Sequence, residues 1–374
     1  MRRILITGGA GFIGSNLAVR LHADGWQVTV LDTLSPQVHG ADPSASPLFR
    51  SIRDIAAFIH GDVTDRDMLA RALTNQDAVV HFAAETGTGQ SMYEIDRYTR
   101  VNVGGTALLL DILANARHDI RRVVVASSRS IYGEGKYVSA AGPVYPGART
   151  DADMAAGHFE LYSADGTPLD LAATDETSRI HPSSVYGITK QVQEQLVLTV
   201  CPTIGIDAVA LRYQNVYGPG QSLTNPYTGI LSIFSNLIMN GKSINIFEDG
   251  RESRDFILVD DVVTATALAL TSPAAAGKAI NVGSGVPTDV LTVAQRLMDN
   301  LGEVPLAVSG NYRLGDIRHN YADMTLATAV LGFTPRFSFA DGIARFCAWA
   351  KAQGPQRNDY DASIAELRAK GLLK

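Results

Sequence analysis

Cysteine is scarce. The chain has two, Cys201 and Cys347, in 374 residues. They stand far apart and outside any metal-ligand spacing, so a disulfide framework is excluded, no metal is expected, and a reducing compartment fits. Basic runs are also missing, and the net charge is −6, which argues against a nucleic-acid surface. No apolar stretch is long enough to span a bilayer. The N-terminus enters a strand at once, so a cytoplasmic chain with no membrane partner is expected. What remains is 46% hydrophobic and 19% charged, ample for a sizeable core. The length suits one large α/β domain with a smaller lobe, or two domains.

The richest stretch is Ile4 to Ser15. An apolar run ends at Thr7, Gly8, Gly11 and Gly14 follow at three-residue spacing, and a helical pattern (Leu17, Leu21) begins. The first glycine allows a tight turn, the second lets backbone approach a pyrophosphate, and the third lets helix and strand pack closely. A second strand follows and ends at Asp32, whose carboxylate can accept both ribose hydroxyls of an adenosine and repels a 2′-phosphate. Thr33-Leu34-Ser35 supplies no arginine for that phosphate, so NAD is favoured over NADP. Asp32 as a plain strand-end turn residue is the bland alternative.

The segment Ala56 to Asp65 reads as a third strand with a polar exit, where Asp62 can face an adenine and Asp65 can cap the next helix. Ala78 to Ala84 reads as a buried fourth strand, with His81 as a satisfied core histidine. The loop Thr86 to Ser91 falls at the carboxyl end of the sheet, where open α/β sheets bind ligands. An amphipathic helix is expected over 98–116; Asn102 either faces a cofactor from it or bonds within the helix. Arg122 to Ala126 reads as a fifth strand running into Ser127-Ser128-Arg129-Ser130. Residues 134–181 show no sustained period and read as an insertion of loops with short structured pieces. Tyr186 and Lys190 then fall at i, i+4 on one helical face. A nearby ammonium favours the phenolate, which is otherwise a poor base near neutral pH.

Taken together, Thr7–Gly14, Asp32, Gly61-Asp62, His81–Ala84, Asn102–Thr106, Ser128, Tyr186/Lys190, Leu211–Pro219, Ser253–Phe256, Asn281–Gly285 and Arg313–Asp316 resemble the extended short-chain dehydrogenase/reductases of the nucleotide-sugar epimerase/dehydratase family. The resemblance covers nearly the whole chain apart from the insertion and the final helix. It implies a Rossmann-type doubly wound α/β fold with a smaller, discontinuous α/β substrate lobe. The nucleotide-binding domain is then expected over 1–213 plus 253–275, and the lobe over 214–252 plus 276–374. It implies NAD held by Gly8, Gly11, Phe12, Ile13, Gly14, Asp32, Asp62, Val63, Phe82, Ala83 and Ala84, with Asn102, Tyr186, Lys190 and Gln214 completing the set.

The resemblance also implies catalysis by Tyr186, Lys190 and Ser128 on a nucleotide-diphosphate sugar. Asn215, Arg254 and Arg313 would hold the diphosphate, which suits directional guanidinium donors; a surface ion pair is the plain alternative for each arginine. Asn245 and Phe247 would lie by the nucleobase, and Thr86, Thr88, Ser128, Ser130 and Asn320 around the sugar. The family's dehydratases carry Asp-Glu after the serine or threonine. Here Arg129 and Ser130 stand there, and a guanidinium serves as neither base nor acid near neutral pH. Epimerisation or simple reduction is left. Within the family, the insertion and the Ser184–Gln195 helix opening are similar to bacterial deoxysugar epimerases. A homodimer pairing the helices near 98–116 and 186–200 is also implied.

Overall fold

Seven strands, apolar for the most part, form one parallel sheet, the arrangement expected when runs such as Val123–Val125 are buried on both faces. The computed structural model describes residues 2–163, 165–225, 229–356 and 360–374. The strands are β1 (Arg3–Thr7), β2 (Gln27–Asp32), β3 (Ala56–His60), β4 (Ala78–His81), β5 (Arg122–Ser128), β6 (Asp207–Tyr213) and β7 (Lys278–Val282). Their spatial order is β7-β6-β5-β4-β1-β2-β3, and every neighbouring pair is parallel. The order reverses between β1 and β4, which opens a crevice at the carboxyl ends.

Alternate side chains serve the two faces. Ile4, Ile6, Val30 and Val124 pack with Leu17 and Val262 of the helices Phe12–Ala23 and Val259–Thr271. Leu5, Val79, Val123 and Val125 pack with Leu109 and Val197 of the helices Gly105–Asn115 and Val185–Thr203. The helix expected over 98–116 starts earlier, at Ile95, and carries a π-helical turn over Thr99–Gly104 that contains Asn102.

The expected domain split needs two corrections. Lys278–Val282, assigned to the lobe, is the edge strand of the large sheet, and Ala327 and Leu331 of the helix Thr325–Leu331 pack into that layer. The helix Val259–Thr271 acts as the crossover that brings β7 beside β6. Conversely, Ser253–Leu258 lies in the smaller sheet, between Asn215–Tyr217 and Pro287–Asp289 and beside His319–Asn320. Only the helix after it returns to the nucleotide-binding side. The helices Ile230–Met239, Val290–Leu301 and Phe339–Gln353 cover that sheet around Phe234, Leu297 and Phe346.

The insertion holds a small antiparallel sheet, Tyr137–Ser139 with Gly142–Val144 and Asp170–Leu171. It is fastened to the lobe by charge. Arg149 forks onto Glu248, and the fully buried Arg318 reaches Glu160, Glu248 and Asp249. Cys201 and Cys347 are buried free thiols. Among the described residues no helix is long and apolar enough to cross a membrane.

Candidate active site

The glycine turn between β1 and the first helix is built for a close approach. Gly8 has φ +66°, and a Cβ there would lie 2.7 Å from the Ala83 nitrogen. A Cβ on Gly14 would lie 2.4 Å from the Gly8 carbonyl oxygen. Gly11 caps the helix with no side chain on its first N–H groups, which therefore remain free for an anion. Phe12 and Ile13, on the first turn, are half-buried. Asp32, at the end of β2, accepts from the Ala10 and Leu34 N–H groups at 3.0 and 2.8 Å, so its carboxylate is fixed at the mouth of the turn.

The next shell follows the sheet edge. Asp62 accepts from Thr64 N–H in a tight turn, and Asp65 caps its helix through the Asp67 and Met68 N–H groups. Val63 is buried beneath Gly105. Phe82, Ala83 and Ala84 continue from β4; the Ala83 N–H donates to Thr7 Oγ1, and Phe82 meets Tyr213 edge-on. His81 is the core histidine expected. Its two ring nitrogens bond Thr7 and Thr106, and burial pushes its pKa down to about 3.

Asn102 is corrected to a clamp. Its amide pairs with the N–H and carbonyl of Glu85 and donates to Thr189, so it orders the loop after β4 rather than facing a cofactor. Gln214 is different: it is buried, and neither end of its amide has a partner. An orphaned amide, an uncapped helix start and a glycine cradle together fit a dinucleotide.

Tyr186 is placed by three local devices. Ser184 caps its helix through the Gly187 N–H, Ser91 Oγ accepts from the Tyr186 N–H, and Gly187 packs so closely that a Cβ would lie 2.6 Å from the Ser130 carbonyl oxygen. That contact brings the phenol to the end of β5, where it faces Ser128, whose hydroxyl favours its ionised form. Ser128 Oγ also accepts from the Ser130 N–H and donates to Ser130 Oγ. Lys190 is buried, and its Nζ donates to the Ala126 carbonyl at 3.0 Å, 6.0 Å from the Tyr186 ring centroid.

The electrostatics differ from the expectation that Lys190 lowers the phenol. Burial raises the Tyr186 pKa, and the opposing influences are the Ser128 hydrogen bond and the Arg129 charge. Burial alone brings Lys190 down to about 7. Arg129, which sequence reasoning used only to exclude dehydration, stands inside the site with its Nε donating to Asn215 Oδ1 at 2.8 Å. Its signal was its place beside Ser128.

The substrate side divides. Phe247 lies under the Arg313 guanidinium, 5.0 Å from its ring centroid, and Arg313 Nε is buried without a partner. Asn245 lies on the adjoining strand Ile244–Ile246, half-buried. Thr86 and Thr88 are exposed on their loop. One expectation is corrected. Arg254 donates to the carbonyls of Ser253, Ile317 and Arg318 and to Asp316, so it holds the 316–318 segment, and among the described residues only its Nε–H is free. Asn320 is fully buried against Gly135 and Thr174 of the insertion, and its Oδ1 has no partner among the described residues. Beside these, a cleft of about 280 Å³ runs between the insertion and Gly315–Ile317, lined in part by Glu134 and His181.

The tail also closes on this end of the molecule. The Leu314 N–H donates to the Leu372 carbonyl, Tyr312 and Lys374 exchange backbone hydrogen bonds, and Leu373 bridges Arg313. On the other side, Tyr93 donates to Glu366 and lies under Lys370. No local pattern in the sequence announces these contacts; Tyr93 and Glu366 are 273 residues apart.

Comparisons with known proteins agree with this geometry. The sequence profile of the NAD dependent epimerase/dehydratase family matches residues 4–283. A dTDP-L-rhamnose 4-epimerase of Burkholderia thailandensis is 37% identical over 360 residues, 96% of this chain and 97% of that protein. A UDP-glucose 4-epimerase of Mycolicibacterium smegmatis is 32% identical over 349 residues, 92% and 96% of the two chains. Among solved structures, the Thermotoga maritima UDP-glucose 4-epimerase with UDP-glucose superposes with a TM-score of 0.74 at 27% identity, covering 94% and 99% of the chains. MoeE5 in complex with UDP-glucuronic acid and NAD superposes equally, at 0.74 and 29%, covering 94% and 99% of the chains. The glycine cradle, the Tyr186–Ser128 pair at the sheet's carboxyl edge and these likenesses place the chain in the NAD-dependent epimerase/dehydratase family, as a nucleotide-sugar epimerase.

Proposed function

We propose that the chain inverts C4 of a nucleotide-bound sugar, with dTDP-L-rhamnose as substrate and dTDP-6-deoxy-L-talose as product. The observation that carries the reaction type is the meeting of Tyr186 and Ser128 with Arg129 and Ser130, rather than an acid-base pair, beside them. The similarity to a dTDP-L-rhamnose 4-epimerase supports the sugar. Tyr186 as phenolate takes the proton of the C4 hydroxyl, and Ser128 hydrogen-bonds the same oxygen. NAD, when bound, takes up the hydride from C4 and gives it back. Gly8, Gly11 and Gly14 admit its pyrophosphate, Asp32 its adenosine ribose, and Gln214 and Lys190 its nicotinamide half. Phe247 and Arg313 receive the nucleotide.

A UDP-hexose is the second reading, favoured by the likeness to UDP-glucose 4-epimerases. A panel of nucleotide sugars, incubated in ordinary and deuterated water and read by NMR, separates the two. Inversion of dTDP-L-rhamnose without solvent deuterium at C4 is expected. Inversion of a UDP-hexose alone would keep the mechanism and discard the deoxysugar. A 4-keto-6-deoxy product or stoichiometric NADH would contradict epimerisation.

A homodimer is part of the proposal. Ile95 and Ile188, on the two helices expected to pair, are 53% and 48% exposed, which supports a partner there. Light scattering at micromolar concentration should give twice the chain mass; a monomer mass would refute it.

A further inference from the structure

The proposed reaction gives the Arg129 guanidinium no task. It opens the short turn Arg129–Tyr132 directly after Ser128, so the strand that sets Ser128 also sets its position. Its Nε donates to Asn215 Oδ1, and the rest of the fork has no protein partner among the described residues. Among the described residues no carboxylate pairs with it; Asp316 and Glu134 act on it only through space, and Arg254 acts against it. Burial and that like charge pull the guanidinium below its ordinary pKa.

The neighbouring arginines are occupied differently. Arg149 is forked onto Glu248, Arg318 is surrounded by Glu160, Glu248 and Asp249, and Arg254 is held by three carbonyls and Asp316. Arg129 is half-buried, and a partly desolvated cation with no carboxylate on its fork is completed by an anion. Its position says which anion. Its place directly after Ser128 puts Arg129 beside the catalytic end of β5, while its link to Asn215 puts it at the entrance to the lobe.

We infer that Arg129 holds the sugar-side phosphate of the nucleoside diphosphate, a residue added to the Asn215, Arg254 and Arg313 set that the sequence reading gave to the diphosphate. Asn215 fixes the Nε edge and thereby the plane of the fork. The two Nη groups then present parallel donors to two non-bridging phosphate oxygens, a geometry that a lysine cannot reproduce. The inference rests on the proposed nucleotide-sugar reading. It adds that this reading depends on a second phosphate: a nucleoside monophosphate does not reach Arg129.

The test is calorimetric titration of the purified protein with dTDP, UDP and dTMP, comparing the natural chain with Arg129→Gln and Arg129→Lys. The natural chain should bind at least one of the diphosphates. Arg129→Gln should weaken that diphosphate about 10- to 100-fold, the range of lost hydrogen bonds to a charged group. It should leave dTMP within about threefold. Arg129→Lys, which keeps the charge, should recover part of the loss and decides the matter if the glutamine variant does not fold. Diphosphate affinity unchanged in the variants, or dTMP and diphosphate weakened by the same factor, overturns the inference while leaving the proposed function intact. If the natural chain binds neither diphosphate, both fall together.

Discussion

The two halves of the candidate site are made of different material. On the dinucleotide side, recognition is built from backbone: a glycine turn with no room for a Cβ, uncapped N–H groups and one carboxylate fixed by main-chain donors. On the substrate side it is built from charged side chains that arrive from distant segments. Arg149 and Glu160 come from the insertion, Glu248, Arg254 and Arg318 from the lobe, and Arg129 from the turn after β5. The first half tolerates almost no change in shape and contains little that can be retuned. The second is an assembly of charge pairs that can be exchanged one at a time. A scaffold with this division keeps one cofactor while its substrate side varies, which matches relatives that share the fold and act on different sugars.

The largest effect is expected where the halves meet. Tyr186→Phe removes only the hydroxyl that faces Ser128. Turnover should fall by about 10²- to 10⁴-fold, with NAD retained and nucleotide binding unchanged. Near-normal turnover in steady-state assays would remove Tyr186 from the chemistry.

A break confined to the first half comes next. Gly14→Ala puts a Cβ within 2.4 Å of a backbone oxygen that cannot step aside. NAD content after purification, read by absorbance and mass spectrometry, should fall about tenfold or more. Affinity for a nucleoside diphosphate on the other half should hold within about threefold. Parallel loss of both ligands would mean that the halves are not separable.

The smallest effect lies in the second half and depends on pH. Glu134 is buried, accepts the Arg318 N–H at 2.7 Å and lies 3.5 Å from Arg149 Nε. Both of those arginines already have carboxylates of their own. Burial, only partly opposed by Arg149, raises the Glu134 carboxyl from an ordinary value of 4.5 to about 7. A carboxyl raised in this way keeps its proton when folded and loses it when unfolded between those values. The folded state therefore binds more protons there, and stability drains away as pH rises through that window. Glu134→Gln cannot lose that proton. Relative to the natural chain, the variant's melting temperature should improve from about pH 5 to about pH 7 and level off by about pH 8. A difference constant across that range would show that Glu134 is ionised throughout.

The contrast also explains what could be read from the sequence. The glycine turn, Asp32 and the Tyr186/Lys190 pair were legible because each is local: a spacing of three, a strand end, one turn of helix. The apolar runs of β1, β4 and β5 announced themselves as buried strands. β7 did not, because whether Lys278–Val282 pairs with β6 or with the lobe depends on a crossover, not on its own five residues. The role of Arg254 was misplaced for a related reason. A guanidinium looks the same in sequence whether it faces a phosphate or the carbonyls of Ile317 and Arg318 in a neighbouring segment. Asn102 belongs to the same class, since a π-helical turn redirects its amide to Glu85.

The central claim is that one enzyme site removes hydride from C4 and returns it to the opposite face of the same carbon. A nucleotide sugar carrying deuterium at C4, dTDP-L-rhamnose first, tests it most directly. Product isolated after partial conversion in ordinary water should be inverted at C4 and should retain the deuterium there, with none passed to an unlabelled sugar in the same tube. Loss of the label to solvent, or its appearance on a second molecule, would contradict the account.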